Sequence, residues 1–164
     1  MRHTVSVLVE NKSGVLARIS TLFAARGFNI DSLSVSETES SGVSKMTIVV
    51  KGECSILEQV TKQLNKLVDV IKVNDFDNIE CVERGLALVK INMTKSSRDE
   101  IIKLIGIFKA KIVDMSQDSI ITEITGDEDK INAFIKMVIP YGIKETCRTG
   151  FAALSRSGHI NKNR

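Results

Sequence analysis

Asn11-Lys12-Ser13-Gly14-Val15-Leu16 decides how the rest of this chain is read. Before it, Val5, Val7 and Val9 alternate with polar residues, the period of a half-buried strand. After it, Val15, Leu16, Ile19, Leu22 and Phe23 fall on one helical face. The six residues therefore join a strand end to a helix start. Glycine at position 14 leaves no side chain above the first helical turn. The first N–H groups of the helix, around Gly14 to Leu16, then face a gap with the positive end of the helix dipole behind them. A carboxylate fits there. Asn11 offers a side-chain carbonyl to an ammonium group. A free amino acid carries both charges a few ångströms apart and is the natural ligand. The plainer alternative is that Asn11 and Ser13 only cap a helix, and from six residues alone that is the commoner arrangement.

Outward from this loop the chain repeats one grammar. A first strand spans His3 to Val9, and its helix ends at Arg26-Gly27, with Gly27 in the left-handed position after the last turn. A second strand spans Phe28 to Thr38. Phe28 and Ile30 are even while Leu33 and Val35 are odd, which predicts a bulge near Asp31-Ser32. Glu39 to Gly42 is a turn, and Ser44 to Lys51 a third strand. Ile56, Leu57, Val60, Leu64 and Leu67 mark a second helix, and Val68 to Val73 a fourth strand. This order is the split βαββαβ arrangement of ferredoxin-like domains, with helices on one sheet face and the other face open.

The junction is expected at Asn74 to Asn78. Beyond it come a strand at Leu86 to Met93, a helix at Ser97 to Phe108, strands at Lys111 to Ser116 and Ser119 to Thr125, a helix at Asp127 to Ile139 and a strand at Ile143 to Thr149. The predicted fold is α+β: two consecutive ferredoxin-like βαββαβ domains with helices on one face of antiparallel sheets. Their expected bounds are residues 1–75 and 84–158, with a linker at 76–83 and a solvated basic tail at 159–164. The second half enters its first helix through Met93 to Arg98, without Asn-x-x-Gly, so no matching amino-acid site is expected there.

The chain has 164 residues, 43% hydrophobic and 26% charged, with a net charge of +3. That is the profile of a globular protein and demands neither nucleic acid nor a membrane. Cys54, Cys81 and Cys147 are odd in number and widely spaced, which predicts free, buried or half-buried thiols and no zinc site. His3 and His159 lack ligand-spaced partners and are expected on the surface. No secretory signal opens the sequence, which points to the cytoplasm. No nucleophile elbow, phosphate loop or dinucleotide fingerprint is present. Aromatics are 4%, too sparse for a base-stacking platform. A binding module is favoured over an enzyme.

His3 to Arg18 (HTVSVLVENKSGVLAR) resembles the ACT domain of the regulatory (small) subunit of acetolactate synthase, and Arg26 to Leu33 (RGFNIDSL) is similar to its second signature. Arg84 to Ile91 (RGLALVKI), Phe108 to Ser116 (FKAKIVDMS) and Tyr141 to Gly150 (YGIKETCRTG), continuing into Ala153 to Arg156, follow in order. The matches span nearly the whole chain. The resemblance implies a non-catalytic subunit that activates a separate catalytic subunit and makes it sensitive to valine. Thiamine diphosphate, FAD and Mg²⁺ would sit on that partner and no cofactor on this chain. It also implies a homodimer through the ACT domains with the effector at the interface. Asn11, Lys12, Ser13, Gly14, Val15 and Leu16 would hold the amino acid from one chain, and Asn29 and Ile30 would close the pocket from the other. Gly85 stands where the family usually has an acidic residue, and glycine weakens a strand start. A free-standing ACT-type sensor acting on transcription or another enzyme is the alternative, lowered by the lack of a helix-turn-helix. A small enzyme ranks last.

Overall fold

The computed structural model describes residues 1–76 and 80–157, leaving aside the side chains of 54–57. The Cys54 thiol, the side chains of Ile56 and Leu57, Asp77 and Asn78 of the expected junction, His159 and the tail residues Lys162 and Arg164 lie outside the described residues.

The chain divides into two units, Met1–Val82 with residues from Gly150 onward, and Glu83–Thr149. The first contains β1 (Arg2–Glu10), α1 (Val15–Ala24), β2 (Ile30–Glu37), β3 (Val43–Lys51), α2 (Cys54–Leu64) and β4 (Val70–Asp75). Its sheet runs β2-β3-β1-β4. β1 pairs antiparallel with both β3 and β4, and β2 lies at an edge. Alternation settles which face is inside. Val5, Val7 and Val9 of β1 pair in register with the Met46, Ile48 side of β3 and meet Val15, Ile19, Leu22 and Phe23 of α1 and Val60 and Leu64 of α2 in one core. The parity change in β2 appears as a register shift between Ile30 and Ser32, the bulge the apolar pattern requires. Gly27 has φ +72° after α1, and Phe28 N donates to Phe23 O at 3.0 Å, closing the helix end.

The second unit repeats the layout. β5 (Cys81–Asn92), α3 (Arg98–Ile107), β6 (Lys111–Met115), β7 (Ser119–Gly126), α4 (Glu128–Val138), a short 3-10 turn (Ile139–Tyr141) and β8 (Ile143–Arg148) follow in order. Its sheet order is β6-β7-β5-β8, the same second-third-first-fourth pattern as the first sheet. Ala87, Val89 and Ile91 lie opposite Ile124, Thr122 and Ile120, and all six are buried. Helix residues Ile101, Ile105, Ile131, Phe134 and Val138 are buried too, and the Phe108 and Phe134 rings meet edge to face at 5.4 Å. Asp127 caps α4 by accepting from Lys130 N at 2.9 Å.

Several expectations are corrected. β4 begins at Val70, and Val68 is 95% exposed, so its β-branched side chain is no strand signal here. β4 runs on through Asn74 and Asp75, and Phe76 is buried, so the polar stretch chosen as a junction is partly strand. β5 starts before Leu86, with Gly85 inside it opposite Gly126. His3 is buried, with Nε2 3.0 Å from Gly52 O, because strand alternation puts it on the same helix-covered face as Val5, Val7 and Val9. Cys81 is half-buried as expected, but Cys147 is exposed. The first sheet's second face is not open: Thr4, Ser6, Thr47 and Val49 on it are buried. A further strand, β9 (Ala152–Ser155), pairs with β5, whose first residues Cys81 and Val82 belong to the first unit. Phe151 and Ala153 are buried, and from Gly150 the chain groups with the first unit.

Candidate functional site

The 11–16 loop is held from both sides by backbone. Glu10 N donates to Asp69 O at 2.9 Å, and Asn11 N to Gly42 O at 2.8 Å. Gly42, at φ +78° in the β2–β3 turn, also donates its N–H to Glu37 Oε1 at 3.0 Å. The loop thus rests on the residues that lead into β3 and β4. Asn11, Lys12, Ser13 and Gly14 are exposed, Val15 is buried in the core and Leu16 is 39% exposed.

Gly14 is itself the N-cap of α1, at φ +84° and ψ −7°, and no side chain caps the helix. The alternative in which Asn11 and Ser13 serve as caps is therefore absent from the structure. Val15 N reaches Lys12 O only at 3.4 Å. Among the described residues the Leu16 and Ala17 amides have no backbone acceptor. An exposed helix start with unclaimed donors, entered through a left-handed glycine, is arranged to take an anionic group.

Arg18 adds a cation that the sequence reading missed. It follows Gly14 by one helical turn, and its backbone N–H donates to Gly14 O at 3.0 Å. A Cβ on Gly14 would sit 3.4 Å from Arg18 Nη1. Nε and Nη2 of the same guanidinium bond Asp69 Oδ2, each at 2.8 Å, which fixes the side chain across the loop. The spacing i, i+4 from the glycine was the available signal. Lys12 is turned aside onto Glu10 Oε2 at 2.7 Å, and that carboxylate raises the lysine pKa above its ordinary value.

Asn29 and Ile30 stand elsewhere. Ile30 is half-buried against the core and Asn29 is exposed, its Nδ2 donating to Asp31 Oδ1 at 2.9 Å. Asp31 Oδ2 lies 3.0 Å from Lys51 Nζ. Lys51, and after it Asn29, hold the Asp31 carboxyl below its usual range. In the strand register Glu10 lies opposite Val43 and Ile30 opposite Val50. Seven residues at roughly 3.3 Å each separate those levels by about 23 Å. One chain does not bring the two segments together.

The matching loop of the second unit is built differently. The Thr94 and Ser97 hydroxyls lie 2.9 Å apart, and each accepts the other residue's backbone N–H, at 3.0 and 3.2 Å. The hydroxyls close the turn that glycine leaves open in the first unit. Among the described residues no cluster of His, Cys, Asp or Glu is placed to hold a metal, and no helix is long and apolar enough to cross a membrane.

Two ferredoxin-like sheets of one order, the first with an open glycine-entered helix start, define a tandem ferredoxin-like protein of the ACT type. The comparisons with known proteins say which one. Residues 5–72 match the family model described as an AHAS small subunit-like ACT domain, and residues 84–157 the model described as the small subunit of acetolactate synthase. A curated probable acetolactate synthase small subunit of Archaeoglobus fulgidus is 54% identical over 156 residues, covering 95% of this chain and 98% of the relative. The acetolactate synthase small subunit of Aquifex aeolicus is 49% identical, covering 98% of this chain and 84% of its own length. The crystal structure of the Thermotoga maritima small subunit superposes with a TM-score of 0.88 at 43% identity, covering 96% of this chain and 98% of that one. The chain belongs to the acetolactate synthase small-subunit family. It is accordingly a regulatory subunit of branched-chain amino-acid biosynthesis, and its family name implies a large catalytic partner.

Proposed function

We propose that this chain activates an acetolactate synthase catalytic subunit and makes it subject to feedback inhibition by valine. The observation that carries the effector half is the left-handed Gly14 at the start of α1, with the Leu16 and Ala17 amides unclaimed and Arg18 close by. The carboxylate of the amino acid takes those amides and the Arg18 Nη1 side. Its ammonium takes the Asn11 side-chain carbonyl. Lys12, Ser13, Val15 and Leu16 shape the loop, and Asn29 and Ile30 of a second copy close the pocket in a homodimer formed through the first unit. Thiamine diphosphate, FAD and Mg²⁺ belong to the catalytic partner, with none on this chain, and the complex works in the cytoplasm without nucleic acid or membrane.

Reconstitution tests this. Purified catalytic subunit is assayed for acetolactate formation with and without this chain, and with valine, leucine and isoleucine in turn. The expected result is higher turnover with the chain present and inhibition by valine only in its presence. No change in turnover, or inhibition of the catalytic subunit alone, overturns the proposal.

A further inference from the structure

The Arg18 guanidinium is clamped along one edge. Nε and Nη2 both donate to Asp69 Oδ2 at 2.8 Å, while Nη1 lies 3.4 Å from where a Cβ on Gly14 would stand. Asp69 is in turn fixed by backbone. It stands directly before β4, in a turn closed by Val70 N donating to Leu67 O at 3.1 Å. Its own carbonyl accepts from Glu10 N at 2.9 Å, at the residue that leads into the 11–16 loop. The Asp69 side chain is 18% exposed and the Arg18 side chain 51%. A half-exposed arginine on a helix surface ordinarily samples many rotamers. Here the better-buried partner holds it across the loop.

We propose that Asp69 is a positioning residue for the effector: by gripping the Nε–Nη2 edge of Arg18 it keeps Nη1 turned to Gly14, where the carboxylate of the amino acid binds. The inference rests on the effector reading above and adds a residue that acts only through Arg18. Two effects of Asp69 oppose each other. Its charge disfavours a second carboxylate nearby, and its hydrogen bonds remove the need to order Arg18 when the ligand arrives. The guanidinium stands between the two carboxylates and offers each a separate edge, which offsets the repulsion. Ordering one rotamer-rich side chain at binding weakens affinity by roughly three- to tenfold, and that loss is what Asp69 prevents.

Calorimetry of valine binding to the full chain tests this with Asp69→Asn, Arg18→Met and the double variant. Asparagine keeps the size of Asp69 and its backbone contact but offers only a neutral acceptor. Asp69→Asn is expected to raise the valine Kd about three- to tenfold, and Arg18→Met to raise it at least as far. In the Arg18→Met background, Asp69→Asn should add nothing, because residues acting through one another are not additive. A merely structural contribution of Asp69 would multiply the loss again, and that result overturns the proposal. So does an unchanged or tighter Kd in Asp69→Asn, or valine binding indifferent to Arg18→Met. A wild-type chain that binds no valine would instead overturn the effector reading itself. Side-chain NMR of the wild-type chain supplies a readout independent of any variant. The Arg18 Nε–H is expected to be protected from exchange before valine is added, and a guanidinium that becomes ordered only on binding overturns the proposal.

Discussion

At Gly14 the fold and the candidate site are one requirement. Its φ of +84° is a conformation that costs an L-residue roughly 1–2 kcal/mol. The position is not crowded, since a Cβ there would meet only the Arg18 guanidinium at 3.4 Å. The cost of substitution is therefore backbone strain rather than overlap. An acidic residue at position 14 looks harmless to stability from sequence alone, because the first helical turn welcomes negative charge. The left-handed backbone corrects that. Gly14→Ala is expected to lower the unfolding free energy by about 1 kcal/mol in urea titration. Gly14→Asp should cost no more, because aspartate tolerates the left-handed region and its carboxylate reaches Arg18. It places that carboxylate where the effector's must go. The reconstituted complex with Gly14→Asp is expected to stay activated and to lose valine inhibition. Full valine sensitivity in that variant would put the pocket elsewhere, and loss of activation would make the loop a contact with the catalytic partner.

Among the elements, the β6–β7 turn shows a local charge arrangement whose consequence is measurable. Asp118 lies 3.0 Å from Lys144 Nζ of β8 and accepts from Ser116 Oγ at 2.8 Å. The lysine, and after it the serine, pull its pKa down to about 2 from an ordinary 3.8. A depressed carboxylate favours the folded state above its unfolded value and loses that contribution as protons bind. The contribution is thus whole above about pH 4 and disappears between there and pH 2. A carboxyl-carbon NMR titration should place Asp118 near 2, and Lys144→Met should return it toward the usual carboxylate range. An unmoved titration in that variant would contradict the pairing. Element order, the β2 bulge and most helix faces were legible because they rest on periodicity, which burial directly enforces. β9 was not. Phe151 and Ala153 do alternate with exposed neighbours, but the run is four residues long and runs into a polar, basic stretch. Its partner lies far back in the chain, and the close approach of Gly150 to Leu33 is a tertiary fact that no local pattern encodes. The Gly14 loop was legible as a place, while its left-handed backbone and the turn of Arg18 across it were not.

For the whole molecule the decisive relation is the distance between the two candidate segments. The 11–16 loop lies at the Val43 level of the first sheet, and Asn29-Ile30 at the Val50 level. About 23 Å of strand separates them, far beyond the reach of one amino acid. A pocket using both must be shared between two copies. β2 supplies the means, being an edge strand with Val35 42% exposed. An unpaired edge is a template for another strand, and antiparallel pairing of two β2 strands brings opposite sheet ends together. Sedimentation equilibrium of the isolated chain is expected to show a dimer at micromolar concentration, tightened by valine because the ligand binds only the shared site. Val35→Lys puts a charge at the paired edge and is expected to weaken the dimer and valine binding together, by the same linkage. Valine binding that stays intact in a chain made monomeric by this substitution would confine the effector to one copy, and Asn29 and Ile30 would then have no part in holding it.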